Sequence, residues 1–309
     1  MSAERTFEDS LRIAVVTRTR DRPSLLVRAR ESVVSQDHPV VWSVVNDGGA
    51  PAPVEAEVDA ARRAGVSCRL VHHDTSRGRA TAANVGIREA AAETDAFLIL
   101  DDDDSLFPGA IAALASALAA RPAAAGMLGQ VMKIRERRTS AGVWRPGESF
   151  IANPERGPVR LADLAYRNIV PLNGLLLRHR AFEEAGGFNE ELPVLEDWDL
   201  LLRVTSKHDI DRLDDVVAAY YLRAASGDPD DPLGNSVTAG RALHEEWEVR
   251  LRNRYLREDL AAGRYGLGHL MNPPHRLPME RINLVVDTVN RTTAHLPFIG
   301  RLRRRLARP

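Results

Sequence analysis

Four aspartates in a row, Asp101, Asp102, Asp103 and Asp104, follow the apolar run Phe97–Leu100 and precede Ser-Leu-Phe-Pro. A short apolar run bounded by turn formers reads as a buried strand, so the carboxylates gather at its C-terminal end. Side by side they repel one another unless positive charge sits among them. Open α/β sheets bind ligands beyond the carboxyl ends of their strands. Hard divalent cations such as Mg²⁺ or Mn²⁺ take oxygen ligands and often bring a phosphate-bearing substrate with them. The alternative is a solvated acidic loop that caps the helix starting near Gly109. A second acidic group, Glu196, Asp197 and Asp199, opens another helix, where acids are good first-turn residues whatever else they do.

The rest of the chain must position these groups. Its 309 residues, 44% hydrophobic and 28% charged, suffice for one large α/β domain or two small ones. A net charge of -1 argues against a nucleic-acid partner. The single cysteine, Cys68, excludes a disulfide framework and Cys-rich zinc sites, and reads as a small core residue. Met1–Ser10 is polar and acidic, and no apolar run approaches the ~18 residues of a membrane span. A soluble cytoplasmic protein is the expectation.

Strand-like runs at Leu11–Thr17, Val40–Val45, Ser67–His72 and Phe97–Leu100 alternate with helical stretches at Ser24–Ser35, Val54–Ala64, Ala80–Ala92 and Gly109–Ala120. That alternation predicts an α/β fold with a mostly parallel sheet flanked by helices. No G-x-G-x-x-G follows the first strand, which weighs against a dinucleotide fold. Beyond residue 121 the pattern loosens. Met127–Ile134, Gly174–Leu177 and Ile210–Tyr221 read as strands, and Arg135–Pro158 as a long hairpin or loop. Short helices are expected over Leu161–Arg167 and Ala181–Ala185. The turn-rich stretch 224–240 is a candidate mobile lid. Arg241–Ala262 is an amphipathic helix whose Leu243, Trp247, Leu251 and Tyr255 read as core packing. The tail from Arg291 to Pro309 carries six arginines and no acid. It could meet an anionic membrane or a second copy of the chain, or lie in solvent.

Five segments, in order, resemble the family 2 glycosyltransferases of the GT-A fold over about residues 11–223. They are Arg18-Thr19-Arg20-Asp21-Arg22-Pro23 with Leu25-Leu26, and Val44-Val45-Asn46-Asp47-Gly48-Gly49. Arg79 with Ala83-Asn84-Val85-Gly86-Ile87 is the third, and Leu100–Asp104 with Pro108 the fourth. The last is Gly186-Gly187-Phe188-Asn189-Glu190 with Glu196-Asp197-Trp198-Asp199-Leu200. The resemblance implies a Rossmann-like GT-A domain over 1–223, with a nucleotide-sugar half at 11–120 and an acceptor half at 121–223. The loop 224–240 and a helical C-terminal extension with a basic tail, 241–309, would follow.

The same resemblance implies an inverting, metal-dependent sugar transfer from a nucleotide-diphosphate sugar to an acceptor hydroxyl. UDP is the first expectation for the donor, with GDP or dTDP next. The acceptor would be a glycan, a lipid-linked or a small molecule. Asp103, with Asp101, would hold Mn²⁺ or Mg²⁺, Asp101 would also lie near the ribose, and Asp102 would assist. Asp104 is left between the site and a helix cap. Asp47 would meet the nucleobase beside Thr19, Arg20 and Asp21, although Asn46 stands where the family usually has an acid. Arg77 or Arg79 would meet the base or a phosphate, with plain surface exposure as the alternative. Asp197 of the Glu196–Asp197 pair would be the base that takes the acceptor proton, kept ionised by the helix N-terminus. His244 could approach the metal or stay solvated, and His72-His73 read as structural. Two rivals remain. A nucleotidyltransferase would normally carry glycine in the loop after the first strand, which is absent here. A non-catalytic sugar-nucleotide-binding relative would be indifferent to Asp103→Asn. An enzyme at the inner face of the membrane or a homodimer would both suit the basic tail.

Overall fold

Ile13–Thr19 is buried at every residue, as expected for a central parallel strand covered on both faces. It is β1 in a computed structural model that describes residues 11–139, 144–223 and 240–272. The lid expected at 224–240, apart from Gly240, and the basic tail at 291–309 lie outside the described residues.

Four parallel strands form one half of the sheet in the order β3 (Ser67–His73), β2 (Val40–Asp47), β1 and β4 (Ala96–Ile99). Helices α1 (Pro23–Val34), α2 (Pro51–Arg63) and α3 (Arg79–Ala91) make the crossovers. Pro23 and Pro51 open α1 and α2, where a missing N–H costs nothing. The chain leaves β1 toward β2 on one side, and β4 returns to its other side. The strand order therefore reverses at β1, and the crevice at the carboxyl ends of β1 and β4 is the place for a ligand.

The second half is mixed. β8 (Leu175–Arg178) runs antiparallel to β4 and to β6 (Gly126–Arg138), and β9 (Ile210–Arg223) runs parallel to β6. The arginine-rich stretch forms a hairpin of β6 with β7 (Trp144–Ile151), and their register shifts between Ile134 and Glu136. A two-residue strand, β5 (Ser105–Leu106), pairs with β9 directly after the four aspartates. It is too short to carry a periodic signal, and the sequence reading misses it.

Two apolar layers cover the sheet. On one face lie Leu26 and Val33 of α1, Val58 of α2, and Ile111, Leu114 and Leu118 of α4 (Ala110–Ala119). On the other lie Ile87 of α3, Leu164 of α5 (Leu161–Tyr166), Phe182 of α6 (His179–Glu184), and Leu200 and Leu201 of α7 (Glu196–Thr205). Cys68 is buried, and burial pushes its thiol up to about 11, as suits a core residue.

The C-terminal helices α8 (Arg241–Ala261) and α9 (Leu267–Met271) join this second layer through Leu251, Tyr255 and Met271. Of the stripe expected on α8, Leu251 and Tyr255 are buried, Trp247 packs at the edge, and Leu243 is 41% exposed. Polar contacts reinforce the seam. Asp199, wholly buried in α7, pairs with Arg203 at 2.7 Å and with Arg254, and accepts the Tyr255 hydroxyl at 2.9 Å. Arg252 donates to the Tyr166 carbonyl at 2.7 Å and lies 4.7 Å over the Trp198 ring. Asp199 is therefore a structural anchor beside the acidic pair of α7. Among the described residues no helix is long and apolar enough to cross a membrane.

Candidate active site

The loops after β1, β2 and β4 close around one another through polar side chains. Gly48 has φ +82°, and a Cβ there would lie 2.3 Å from the Ser76 backbone nitrogen. Only glycine lets the β2 loop approach the β3–α3 loop this closely. Asp47 uses that approach. Its Oδ1 accepts from the Arg77 backbone N–H at 2.8 Å and meets His73 Nδ1 at 2.7 Å. Its Oδ2 accepts from Ser76 Oγ at 2.7 Å and the Gly78 N–H at 3.0 Å. Four donors fill the acceptor sites of one carboxylate. Burial opposes the charge, but those hydrogen bonds outweigh it and hold the Asp47 carboxyl below its ordinary range. Asp47, expected at the nucleobase, thus shapes the loop that leads into Arg79. His73, read as structural for lack of a partner, is one of its partners. Asp21, with φ 52°, accepts from the Ala50 N–H at 3.0 Å and ties the β1 loop to the β2 loop. Arg20 and the Arg77 side chain point outward.

The four aspartates divide by position. Asp102, Asp103 and Asp104 are buried, at 0%, 8% and 3% exposure, while the Asp101 side chain keeps 29% and that of Asp103 12%. Asp102 accepts from Thr19 Oγ1 at 2.8 Å and from Arg22 Nε at 3.1 Å. Burial and the neighbouring charges of Asp103 and Asp101 outweigh Arg22 and Thr19, pushing it up to about 7. Asp104 accepts from Asn173 Nδ2 at 2.9 Å and the Tyr221 N–H at 3.3 Å. Burial, then Asp103 and Asp101, drive its carboxyl well above the ordinary range. It does not cap α4, whose N-terminal Gly109 has no side-chain cap. It pins the acidic turn to β9 and to the turn before β8.

Positive charge does sit among the carboxylates, and the chain supplies it. Arg18, the one charged residue of β1, donates to Asp101 Oδ1 at 2.7 and 3.0 Å and to Glu196 Oε1 at 3.1 Å. Burial works against its charge, yet Asp101 and Glu196 together hold its pKa above normal. Arg79 lies 3.8 Å from Asp101 and 3.5 Å from Glu196. Arg22 reaches Asp102 at 2.5 Å and Asp103 at 3.6 Å, and Arg223, at the end of β9, pairs with Asp103. Arg28 donates to the Asp103 carbonyl at 3.1 Å, pairs with buried Glu136 at 2.7 Å and lies 3.8 Å over the Tyr221 ring. Sequence reasoning placed Arg18 and Arg22 in the first family-like segment without giving either a partner, and did not single out Arg28 or Arg223.

Glu196 and Asp197 begin α7. Leu195 precedes them with φ 65°, a left-handed conformation unfavourable for a leucine. Glu196, 2% exposed, faces Arg18 and Arg79. Asp197 is half-buried and accepts from Asn168 Nδ2 at 2.8 Å and its neighbour's N–H, that of Trp198, at 2.7 Å. Desolvation first and the Glu196 charge second raise it to about 6. Asn84 of α3 explains the link to the preceding glycine-rich segment. Its side chain donates to the Phe188 carbonyl at 2.9 Å and to Glu190 at 2.8 Å, and accepts the Phe188 N–H at 3.0 Å. Among the described residues, the His244 ring meets the Gly240 carbonyl of its own first turn, at 3.0 Å.

Residues 13–165 match the family model described as Glycosyl transferase family 2. They form a family 2 glycosyl transferase domain. Solved structures give the fold independently. TarS 1-349 of S. aureus in complex with UDP-GlcNAc aligns at a TM-score of 0.56 and 18% identity, covering 72% of this chain and 63% of that one. A second structure of TarS 1-349 aligns at 0.54 and 18%, over 68% of this chain and 60% of that one. The mannosyltransferase PcManGT of Pyrobaculum calidifontis, in complex with GDP-Man and Mn²⁺, aligns at 0.56 and 16%, over 96% and 80%. The glycosyl transferase domain and its flanking elements thus share the GT-A fold, and the chain spans about 60% of the length of TarS 1-349. No curated protein gives a significant match.

Proposed function

We propose that the protein is an inverting glycosyltransferase that moves a sugar from a nucleotide-diphosphate donor to an acceptor hydroxyl. Family membership and the nucleotide-sugar complexes of structurally similar proteins support the class of donor. The observation that carries the mechanism is the chain of contacts Asp101–Arg18–Glu196, which joins the carboxyl end of β4 to the start of α7. The donor diphosphate would lie over Asp101 and Asp103, and the acceptor hydroxyl would approach Asp197.

The donor set suits a hard cation, since it is all carboxylate oxygen and only Asp101 and Asp103 of the four keep exposed side-chain surface. Among the described residues no three His, Cys, Asp or Glu side chains are grouped to hold a metal ion. A cation would therefore rest on one or two carboxylates and draw its other oxygens from diphosphate and water, as Mg²⁺ favours. Held by Asp103 and Asp101, Mn²⁺ or Mg²⁺ would stabilise the charge that develops on the leaving diphosphate. Asp197 takes the acceptor proton, and Asn168 fixes one of its oxygens toward that task. With Asp197 as base and the adjacent Glu196 held by Arg18 and Arg79, the reaction is a single displacement with inversion.

The test is turnover of UDP-, GDP- and dTDP-sugars in Mn²⁺, read as release of the nucleoside diphosphate and as the anomeric configuration of the product by NMR. Inverted product from one nucleotide class is expected. Retained configuration would contradict the single displacement. Joining of a nucleoside triphosphate to a sugar phosphate would instead make the protein a nucleotidyltransferase.

A further inference from the structure

We propose that Arg22 and Arg223 are internal counter-ions of the acidic turn, and that they make divalent metal a weak ligand unless a diphosphate arrives with it. The inference rests on the reading of Asp101 and Asp103 as the cation's ligands. Four acids near that site already face a guanidinium. Asp101 faces Arg18, Asp102 faces Arg22, Asp103 faces Arg223, and Glu196 faces Arg18 and Arg79. In this set four guanidiniums stand against four carboxylates, so the set presents no excess negative charge to attract a bare cation. Asp104 lies apart, buried on Asn173 and the Tyr221 N–H. A bare cation would also be repelled by two guanidiniums at Asp103 itself, since Arg22 lies 3.6 Å from the oxygen that Arg223 contacts.

A metal–nucleoside diphosphate complex changes the balance, because it carries net negative charge. The arginines then attract what they repelled. Of the two, Arg22 is the one able to move. Its side chain is 24% exposed, against 0% for Arg223, and it precedes α1 as an N-terminal residue with no capping bond. Turning from Asp102 and Asp103, it can offer its fork of N–H donors to phosphate oxygens in a bidentate contact. Arg223 remains behind Asp103, where Glu136 at 4.0 Å shares it. Arg22 is thus a positioning residue whose charge passes from the protein's own carboxylates to the substrate.

The experiment is titration of the full chain with Mn²⁺, followed by electron paramagnetic resonance of the free ion, with and without UDP, GDP or dTDP. Wild-type protein is expected to bind Mn²⁺ at least about tenfold more tightly with the accepted diphosphate than alone. Arg22→Gln is expected to bind Mn²⁺ alone about tenfold more tightly than wild type, and the diphosphate more weakly. The metal–nucleotide coupling then shrinks. Arg223→Gln, if it folds by circular dichroism, is expected to shift metal affinity the same way. Equal Mn²⁺ affinity in wild type and Arg22→Gln, or tight wild-type binding without diphosphate, would overturn the proposal. Failure of the underlying site reading has a different signature, namely Mn²⁺ binding that Asp103→Asn leaves unchanged.

Discussion

Asp197→Asn is expected to lower kcat by about 10²–10⁴-fold, the usual contribution of a positioned general base, and to leave donor binding unchanged. The separation follows from geometry. Asp197 sits at the start of α7 with Asn168 and the Trp198 N–H as its partners, and none of the donor-side carboxylates touches it. Its folded carboxyl lies at about 6, raised by burial and by Glu196. A base works only when ionised, so kcat/KM falls as pH drops through about 6 and is level above it until another group titrates. Glu196→Gln removes the charge that helps raise Asp197, and moves that acid limb to lower pH. A rate profile of wild type, Asp197→Asn and Glu196→Gln over this range reads all of these effects. An Asp197→Asn enzyme with near-normal kcat would place the base elsewhere.

Arg18→Met is the second large effect, and it acts on stability as well as on transfer. The side chain is 6% exposed and serves two buried or half-buried carboxylates at once. Removing one partner of a buried ion pair typically costs about 3–5 kcal/mol, because the remaining charge stays behind without compensation. Methionine replaces the bulk without the charge, so packing is not the cause of the loss. Urea denaturation should show the change as a lower midpoint. Arg18→Lys keeps a charge but cannot span Asp101 and Glu196 with one planar fork. It should recover part of the stability and little of the activity, which separates charge balance from positioning. Full activity in Arg18→Lys would show that alignment of the two halves does not depend on this residue.

Much of the first half was legible because its strands are continuous apolar runs and its crossovers are helices of ordinary length. The boundaries of β1 to β4 and of α1 to α4 fall within a few residues of those read from the sequence. The second half was harder for identifiable reasons. β5 has two residues, and the β6–β7 hairpin is written in arginine, glycine and proline rather than in alternating apolar residues. The acids of the site were visible as acids, since four consecutive aspartates repel one another unless positive charge sits among them. Their partners were not visible. Arg18 and Asp101 are 83 positions apart, and Arg223 and Asp103 are 120 apart. Nothing local in either segment announces the pairing. The same holds for Asp104, whose partners Asn173 and Tyr221 lie on distant strands and turns. Asp47 shows the converse. Its motif was plain, and only the structure reveals that His73 of β3 and three donors from the loop after it already fill it.

On this reading a nucleotide sugar binds at the carboxyl ends of β1, β2 and β4 with a divalent cation on Asp101 and Asp103. Thermal melting against UDP-, GDP-, dTDP- and CDP-sugars, each with and without Mn²⁺, checks that binding. A ligand present at a hundred times its Kd stabilises the native state by about 2.7 kcal/mol, which a melting curve resolves. The account predicts a rise in Tm for one nucleotide class, dependent on metal and lost in Asp103→Asn. No rise with any donor, with or without metal, would contradict it and leave a GT-A domain that does not use nucleotide sugars.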